Sequence, residues 1–220
     1  MELLEGIETR QSWRAFKATP IPKDILRRIC RAAANSPSYT NTQPWEVAVV
    51  TGKKRTELSK ILYDLTDANT PPNPDFPRAR DWPPELEKRA REHGAGRFQA
   101  AGVARDNEQQ RKELQLRNFE FYGAPCAIFL FLDKALGQWS IYDMGLFTQN
   151  LILAAHSFGL GSCPQAGLAN YPDAVRRCLG IAASKRLLIG ISMGYPDPEA
   201  AINTYRSQKV APDAFVRWYS

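Results

Sequence analysis

The sequence predicts an α+β protein, built either as segregated elements or as a three-layer α/β arrangement. Three observations carry that prediction. Apolar residues recur at helical spacing near 25–33, 53–65 and 142–158. Short apolar stretches at 45–51, 126–132 and 187–193 read as strands buried on at least one face. Proline- and glycine-rich breaks separate them. At 220 residues the chain suits one domain with a sizeable core, and residues 1–220 are read as a single unit without repeats or low-complexity segments.

In chain order, Leu3, Leu4 and Ile7 mark one face of a short helix that stops at Thr9-Arg10-Gln11-Ser12. A second helix begins near Pro22, a favoured first-turn residue, with Asp24 where the helix dipole favours negative charge. Its stripe is Ile25, Leu26, Ile29, Cys30 and Ala33, and it ends before Asn35-Ser36-Pro37. Trp45 to Thr51 is the first strand, and Lys53 to Leu65 is helical by Leu58, Ile61, Leu62 and Leu65. Pro71, Pro72, Pro74 and Pro77 exclude helix or central strand from that stretch, because each removes a donor and fixes φ. From Pro84 to Phe121 the chain is charged and mostly helical, with Gly94, Gly96 and Gly102 as weak points, so 66–122 reads as a surface excursion. Cys126 to Leu132 is the clearest buried strand. Tyr142 to Phe158 is a helix apolar almost all round, which implies burial deep in one subunit or between two. Tyr171 to Leu179 forms a short helix, Leu187 to Met193 a third strand, and the aromatic tail from Tyr195 lies across another surface.

Composition narrows the class. Hydrophobic residues make up 44% and charged residues 24%, as in an ordinary globular protein. The acidic start Met1-Glu2-Leu3-Leu4-Glu5 has no apolar h-region, and no stretch approaches the roughly 20 apolar residues of a membrane helix, so the expected address is cytoplasmic with no membrane partner. The net charge of +6 comes from basic residues interleaved with acidic ones, as over 85–92, which argues against nucleic acid and suits a small anionic ligand. Cys30, Cys126, Cys163 and Cys178 form no C-x-x-C pair and read as small core hydrophobes. His93 and His156 belong to no cluster at metal-ligand spacing, so no metal is expected.

Three polar islands abut core elements. In Arg10-Gln11-Ser12-Trp13-Arg14, two arginines four apart flank a serine, a compact set of donors for phosphate oxygens. The plainer reading is a solvated turn. Ser36-Pro37-Ser38-Tyr39-Thr40-Asn41-Thr42-Gln43-Pro44-Trp45 is dominated by hydroxyl and amide side chains that can bond the edges of a flat heterocycle, or simply make a hydrophilic loop. Gly161-Ser162-Cys163-Pro164-Gln165-Ala166-Gly167-Leu168 lets backbone N–H groups approach a ring, or merely connects a helix to a strand. No island supplies a nucleophile–base pair, and the glycines fit neither a dinucleotide fingerprint nor a P-loop. The chain offers a site for something planar and phosphorylated, which suits an enzyme whose cofactor does the chemistry.

At this point the sequence resembles the FMN-dependent nitroreductases. The resemblance rests on Arg10 to Phe16 with Pro20-Ile21-Pro22, on Ala33 to Ser38 running into Asn41-Thr42-Gln43-Pro44-Trp45, and on Asp143-Met144-Gly145. It continues through Gly159-Leu160-Gly161, Gly190 to Pro196, and Asn203 to Trp218. It covers nearly the whole chain except about 66–115. The resemblance implies a three-layer α/β/α fold with a mixed, mostly antiparallel sheet and long dimer-interface helices. It implies that Arg10, Gln11, Ser12, Arg14, Arg206 and Lys209 hold the FMN phosphate. Gln11 stands where the family often has a basic residue, which shifts weight onto Arg206. Pro37, Ser38, Tyr39, Asn41 and Gln43 would line the flavin from the partner subunit of a homodimer. Pro164, Gln165, Ala166 and Gly167 would face its N5 side through the backbone. NADPH or NADH would reduce the flavin, and a nitroaromatic or quinone, a small aromatic substrate, would reoxidise it in a ping-pong cycle. Phe76, Trp82, Phe98, Phe119, Phe121 and Tyr122 are the aromatics from which substrate shape would be decided, although each singly reads more readily as packing. Alternatives left open are another reaction on the same flavin fold (reductive dehalogenation, flavin breakdown, dehydrogenation) and a non-enzymatic flavin-binding dimer.

Overall fold

A computed structural model of the chain describes residues 2–79, 81–104 and 106–220. The elements run α1 (Leu3–Thr9), α2 (Lys23–Ala33), β1 (Glu46–Thr51), α3 (Gly52–Asp67), α4 (Pro84–Ala100), α5 (Glu108–Leu116), β2 (Cys126–Asp133), α6 (Gln138–Ser157), β3 (Gly161–Gln165), α7 (Pro172–Leu179) and β4 (Lys185–Gly194). Local chemistry explains several boundaries. Pro22 precedes α2, Asp24 lies in its first turn and Arg31 in its last, and Leu26, Ile29 and Ala33 are its buried stripe. Asn107 caps α5 by accepting from the Gln110 N–H at 3.0 Å. Gly180 ends α7 in the left-handed region at φ 66°, where a side chain would be strained.

The strands form one sheet in the order β1-β2-β4-β3, antiparallel in all three pairings. The isolated bridge between Ser12 and Ser162 adds a parallel contact at its edge. β2 is central and buried on both faces. Its alternate residues Cys126, Ile128, Leu130 and Leu132 pack with Ile29 of α2 and Met144, Phe147 and Leu151 of α6. Ala127, Phe129 and Phe131 face the other way, against Leu58 and Leu62 of α3 and Val175 of α7. Helices therefore cover both sides of the sheet, giving the three layers expected.

One expectation needs correction. The segment 161–165, read as a connection, is a fourth strand paired with β4 from Gly161↔Gly194 to Gln165↔Gly190. Gly-Ser-Cys-Pro-Gln has no strand propensity of its own, and the edge position tolerates Pro164, so tertiary pairing makes this strand. Phe119, Phe121 and Tyr122 are buried in the core, the packing role that each singly was expected to have. Phe121 and Tyr122 adopt φ values of 57° and 54°, a left-handed turn that folds the end of the excursion back under β2. Of the other aromatics there, Phe76 packs beneath Arg186, Phe98 joins a small cluster with Ala15, Leu114 and Ile202, and Trp82 is exposed. Among the described residues, no helix is long and apolar enough to cross a membrane. Cys126 and Cys163 are buried, Cys30 and Cys178 half-buried, and all four are free.

The start of the excursion is fastened by charge. Arg176 of α7 holds Asp75 through Nη1 at 2.5 Å and Nη2 at 3.3 Å, and Asp75 also accepts from the Leu187 N–H at 2.7 Å. Both side chains are largely buried, at 11% and 16% exposure, so neither has water to replace a lost partner. Replacing Asp75 with Ala is expected to destabilise the fold by roughly 3 kcal/mol, read from urea unfolding; an unchanged midpoint would show that the pair contributes nothing net.

Candidate functional site

The first island is seated on the new strand. α1 ends at Thr9, and the extended residues that follow run along β3, where the Trp13 N–H donates to the Ser162 carbonyl at 3.0 Å. Gly161 permits this approach: a Cβ there would sit 2.7 Å from Trp13 Cδ1. The C-terminal segment closes on the same place through Asn203, which is almost fully buried. Its Oδ1 accepts from the Arg14 N–H at 2.7 Å, while its Nδ2 donates to the Ala15 and Asp197 carbonyls at 2.9 and 2.7 Å. Three residues on, Arg206 donates to the Asn203 carbonyl at 2.8 Å, and its guanidinium lies 5.8 Å from the Trp13 ring centre. Residues separated by some 190 positions thus share one corner.

That corner is strongly positive. Arg10, Arg14 and Arg97 all act on the Cys163 thiol, whose pKa burial nevertheless pushes up. Burial is also the main cause that lowers the His93 pKa, assisted by Arg14, Arg97 and Lys209. The Tyr122 hydroxyl, pushed up to about 12 chiefly by burial, feels Arg97 and Arg14 as well. His156 is depressed by burial and then by Arg10, and its Nε2 lies 3.0 Å from the Thr9 hydroxyl. Among the described residues, Arg10, Arg14, Arg97, Arg206 and Lys209 make no ion pair within 4 Å. Arg10 Nε and both amide atoms of Gln11 are buried without a hydrogen-bond partner. Buried polar atoms are normally satisfied. This set fits a ligand with an anionic, hydrogen-bonding group.

The third island adjoins this corner. Gln165 turns its side chain inward, donating through Nε2 to the Asn118 carbonyl at 3.0 Å and accepting from the Ser192 hydroxyl. Tyr122 donates to Asn118 Oδ1 at 2.5 Å, so the network is continuous from β4 to the end of the excursion. The Gln165 side chain is thereby committed inside the fold. Ala166 is exposed and Gly167 and Pro164 half-buried at the start of the turn Ala166–Ala169.

The second island lies elsewhere in the chain. Asp143, buried in the first turns of α6, accepts from the Tyr39 N–H with both oxygens at 3.1 Å, and Asn150, two turns on, donates to the Ser36 hydroxyl at 2.8 Å. Ser38 Oγ accepts from the Gln43 N–H at 2.9 Å, and Gln43 Nε2 reaches Asn41 Oδ1 at 3.3 Å. Thr40, Asn41 and Gln43 have φ values of 47°, 56° and 48°, backbone strain that the two α6 anchors hold in place. Pro37, Tyr39, Asn41 and Gln43 are exposed. Asp143 and His156 stand at opposite ends of α6, thirteen residues or about 20 Å apart at 1.5 Å per residue. No hydrogen bond or ion pair among the described residues links the loop to the arginines of its own chain.

Five residues of the site have surroundings that the sequence did not indicate. Arg97 sits in a helix crowded with other charges, and both histidines lie outside the islands, so nothing local marks them. Asn203 and Asp143 belong to recognisable motifs, but their roles are contacts to backbone far away in sequence. The depressed histidines have a measurable consequence. Folding holds both imidazoles below their ordinary value, so the folded state takes up protons less readily than the unfolded chain. Their contribution is intact above about pH 6.5 and is lost as pH falls from there toward the folded values. The urea midpoint should fall between pH 7 and 5, and fall less in His93→Gln/His156→Gln; identical pH slopes would contradict this.

Comparison with known proteins identifies the family and the fold. The model of the nitroreductase family matches residues 7–195. Nitroreductase NfnB of Mycolicibacterium smegmatis is 37% identical over 201 residues, covering 91% of this chain and 85% of that protein. A 4-nitrobenzoate reductase of Pseudomonas putida is 32% identical over 216 residues, covering 96% and 93%. The crystal structure of the FMN-dependent nitroreductase NfnB from Mycobacterium smegmatis in complex with NADPH superposes with a TM-score of 0.95 at 33% identity, over 99% of this chain and 97% of that one. The chain belongs to the nitroreductase family.

Proposed function

We propose that this protein is an FMN-dependent reductase of nitroaromatic or quinone acceptors, driven by NADPH or NADH and active as a homodimer. The observation that carries the reading is the group of unpaired basic side chains beside the partnerless Gln11 amide and Arg10 Nε. Support for the particular cofactors comes from the relative described as FMN-dependent and in complex with NADPH, and support for nitroaromatic acceptors from the relative named for 4-nitrobenzoate.

When bound, FMN would supply the redox chemistry, accepting hydride from the nicotinamide and passing it to the acceptor in a ping-pong cycle. The chain's own residues bind and orient. Arg10, Arg14 and Arg206 offer guanidinium groups to phosphate oxygens, Ser12 and the Gln11 amide add neutral donors, and Lys209 adds charge at the rim. The backbone of 164–167 closes one side of the ring site. Residues 66–122, the excursion, would bound the acceptor pocket, with exposed Trp82 as its available aromatic.

A second copy completes the site. On α6, Trp139 and Tyr142 are 67% and 62% exposed, and with Leu146 and Leu153 they form a stripe at alternating spacings of three, four and seven residues. Leu3, Leu4 and Ile7 of α1 extend this apolar face. Covering it with another copy would bring that copy's loop 37–43 toward the arginines, which one chain cannot do across the length of α6. Leu146→Glu is expected to convert a sedimenting dimer to monomer and to release flavin; a flavin-loaded dimer in that variant would reject this interface.

The direct test is the visible spectrum of purified protein. Flavin bands bleached by NADPH without oxygen support the reading, whereas a colourless protein that takes up no added FMN overturns it. Arg14→Ala removes a charge-assisted partner worth about 1.5–3 kcal/mol, so FMN affinity should fall at least about ten-fold. Unchanged affinity by flavin-fluorescence titration would remove Arg14 from the phosphate site.

A further inference from the structure

Helix α4 carries four strongly basic residues, and three are matched within the helix. Lys88 faces Glu92, Arg89 faces Glu85 and Arg91 faces Glu87, each at i,i+4 spacing. Arg97 has no carboxylate partner among the described residues, and its Nε is buried with no hydrogen bond. Its chain neighbour Gly96 packs against the ring of Tyr205, which directly precedes Arg206, and its charge acts on Tyr122 and Cys163, the groups that Arg14 also acts on. A half-buried cation beside other cations is unfavourable unless an anion sits among them.

The packing of α4 is weak enough for this to matter. None of its residues is fully buried. What holds it is one seat on the C-terminal segment: the His93 Nδ1 lies 3.0 Å from the Tyr205 hydroxyl, their rings are 5.3 Å apart, and Tyr205 covers Gly96 so closely that no Cβ would fit. Phe98 and Ala101 add a small apolar contact to Ala15, Leu114 and Ile202. Tyr205 directly precedes Arg206, so the seat of α4 and the phosphate-side arginine are one piece of chain. A phosphate monoester in the site would bring a charge of about −1.5 to −2 to these cations. Without the anion their repulsion opposes seating of α4; with it, Arg97 becomes an attractive contact.

We propose that Arg97 is a further phosphate-binding residue, contributed by the excursion, and that a phosphate monoester in the site holds α4 against the body of the protein. This rests on the FMN reading only for the identity of the ligand, since any phosphate in the site would act through the same side chains. The excursion that bounds the acceptor pocket would then be assembled by cofactor binding.

Hydrogen exchange of amides 85–100 in the full-length protein, stripped of ligand and then given FMN, riboflavin or inorganic phosphate, tests it. FMN should slow exchange across α4, inorganic phosphate should slow it in part, and riboflavin, lacking the phosphate, should leave it fast. Arg97→Gln should abolish the FMN-induced protection and weaken FMN binding about ten-fold without altering riboflavin binding. Arg89→Gln, on the same helix but paired with Glu85, should behave as the parent protein. Exchange of α4 that is the same with and without FMN, or an Arg97→Gln protein with parental protection and affinity, would overturn the proposal. A protein that ignores flavin while phosphate still protects α4 would overturn the FMN reading and leave this one standing; FMN binding with α4 unaffected would do the reverse. Protection by neither FMN nor phosphate would overturn this proposal outright.

Discussion

The architecture of the site depends on one buried amide. Asn203 satisfies the Arg14 N–H and the Ala15 and Asp197 carbonyls at once, welding the strand-like N-terminal segment to the segment that follows the sheet. A buried side chain making three hydrogen bonds to backbone is costly to disturb, because each freed group would lie out of reach of water. Two of the arginines and helix α4 are tied to this joint. Arg14 is fixed by its own N–H, Arg206 by the Asn203 carbonyl, and α4 by Tyr205 between them. The positive corner is therefore held by hydrogen bonds to uncharged groups rather than by ion pairs, leaving its charge uncompensated.

A second anchoring system has the same logic with opposite charge. The buried Asp143 carboxylate takes the Tyr39 N–H with both oxygens, and Asn150 takes Ser36. Together they hold an exposed loop whose backbone is left-handed at three non-glycine positions. Such strain, of order 1–3 kcal/mol per residue, persists only where surrounding structure over-determines it. α6 thus holds a polar loop near one end and the arginine corner near the other, which the proposed pairing of two copies would bring together.

The excursion joins the core at both ends and is loose in the middle. Asp75–Arg176 clamps its start, and Phe119, Phe121 and Tyr122 are swallowed by the core at its end. Between these points α4 has helix-internal ion pairs and almost no burial, the composition of a surface element whose position is set by few contacts. Ordering it through a bound phosphate would connect the cofactor site to the acceptor pocket without any long-range relay.

The sequence by itself determined the elements with strong periodicity or unbroken apolar character. The stripe of α2, the double-sided burial of β2 and the all-round apolar α6 were legible because hydrophobic spacing reports which faces leave water. It also determined the chemical character of the three islands and the order of motifs that marks the family. Tertiary structure alone decided the rest. β3 is a strand only because β4 offers it a ladder, since its five residues have no preference for extended structure. Arg97, His93 and His156 gained their surroundings from chain that is distant in sequence, and Phe119, Phe121 and Tyr122 went inside because a left-handed turn redirects them. Spacing along a chain records local exposure. Which charges meet is set by long-range packing, and no pattern within a single segment encodes that.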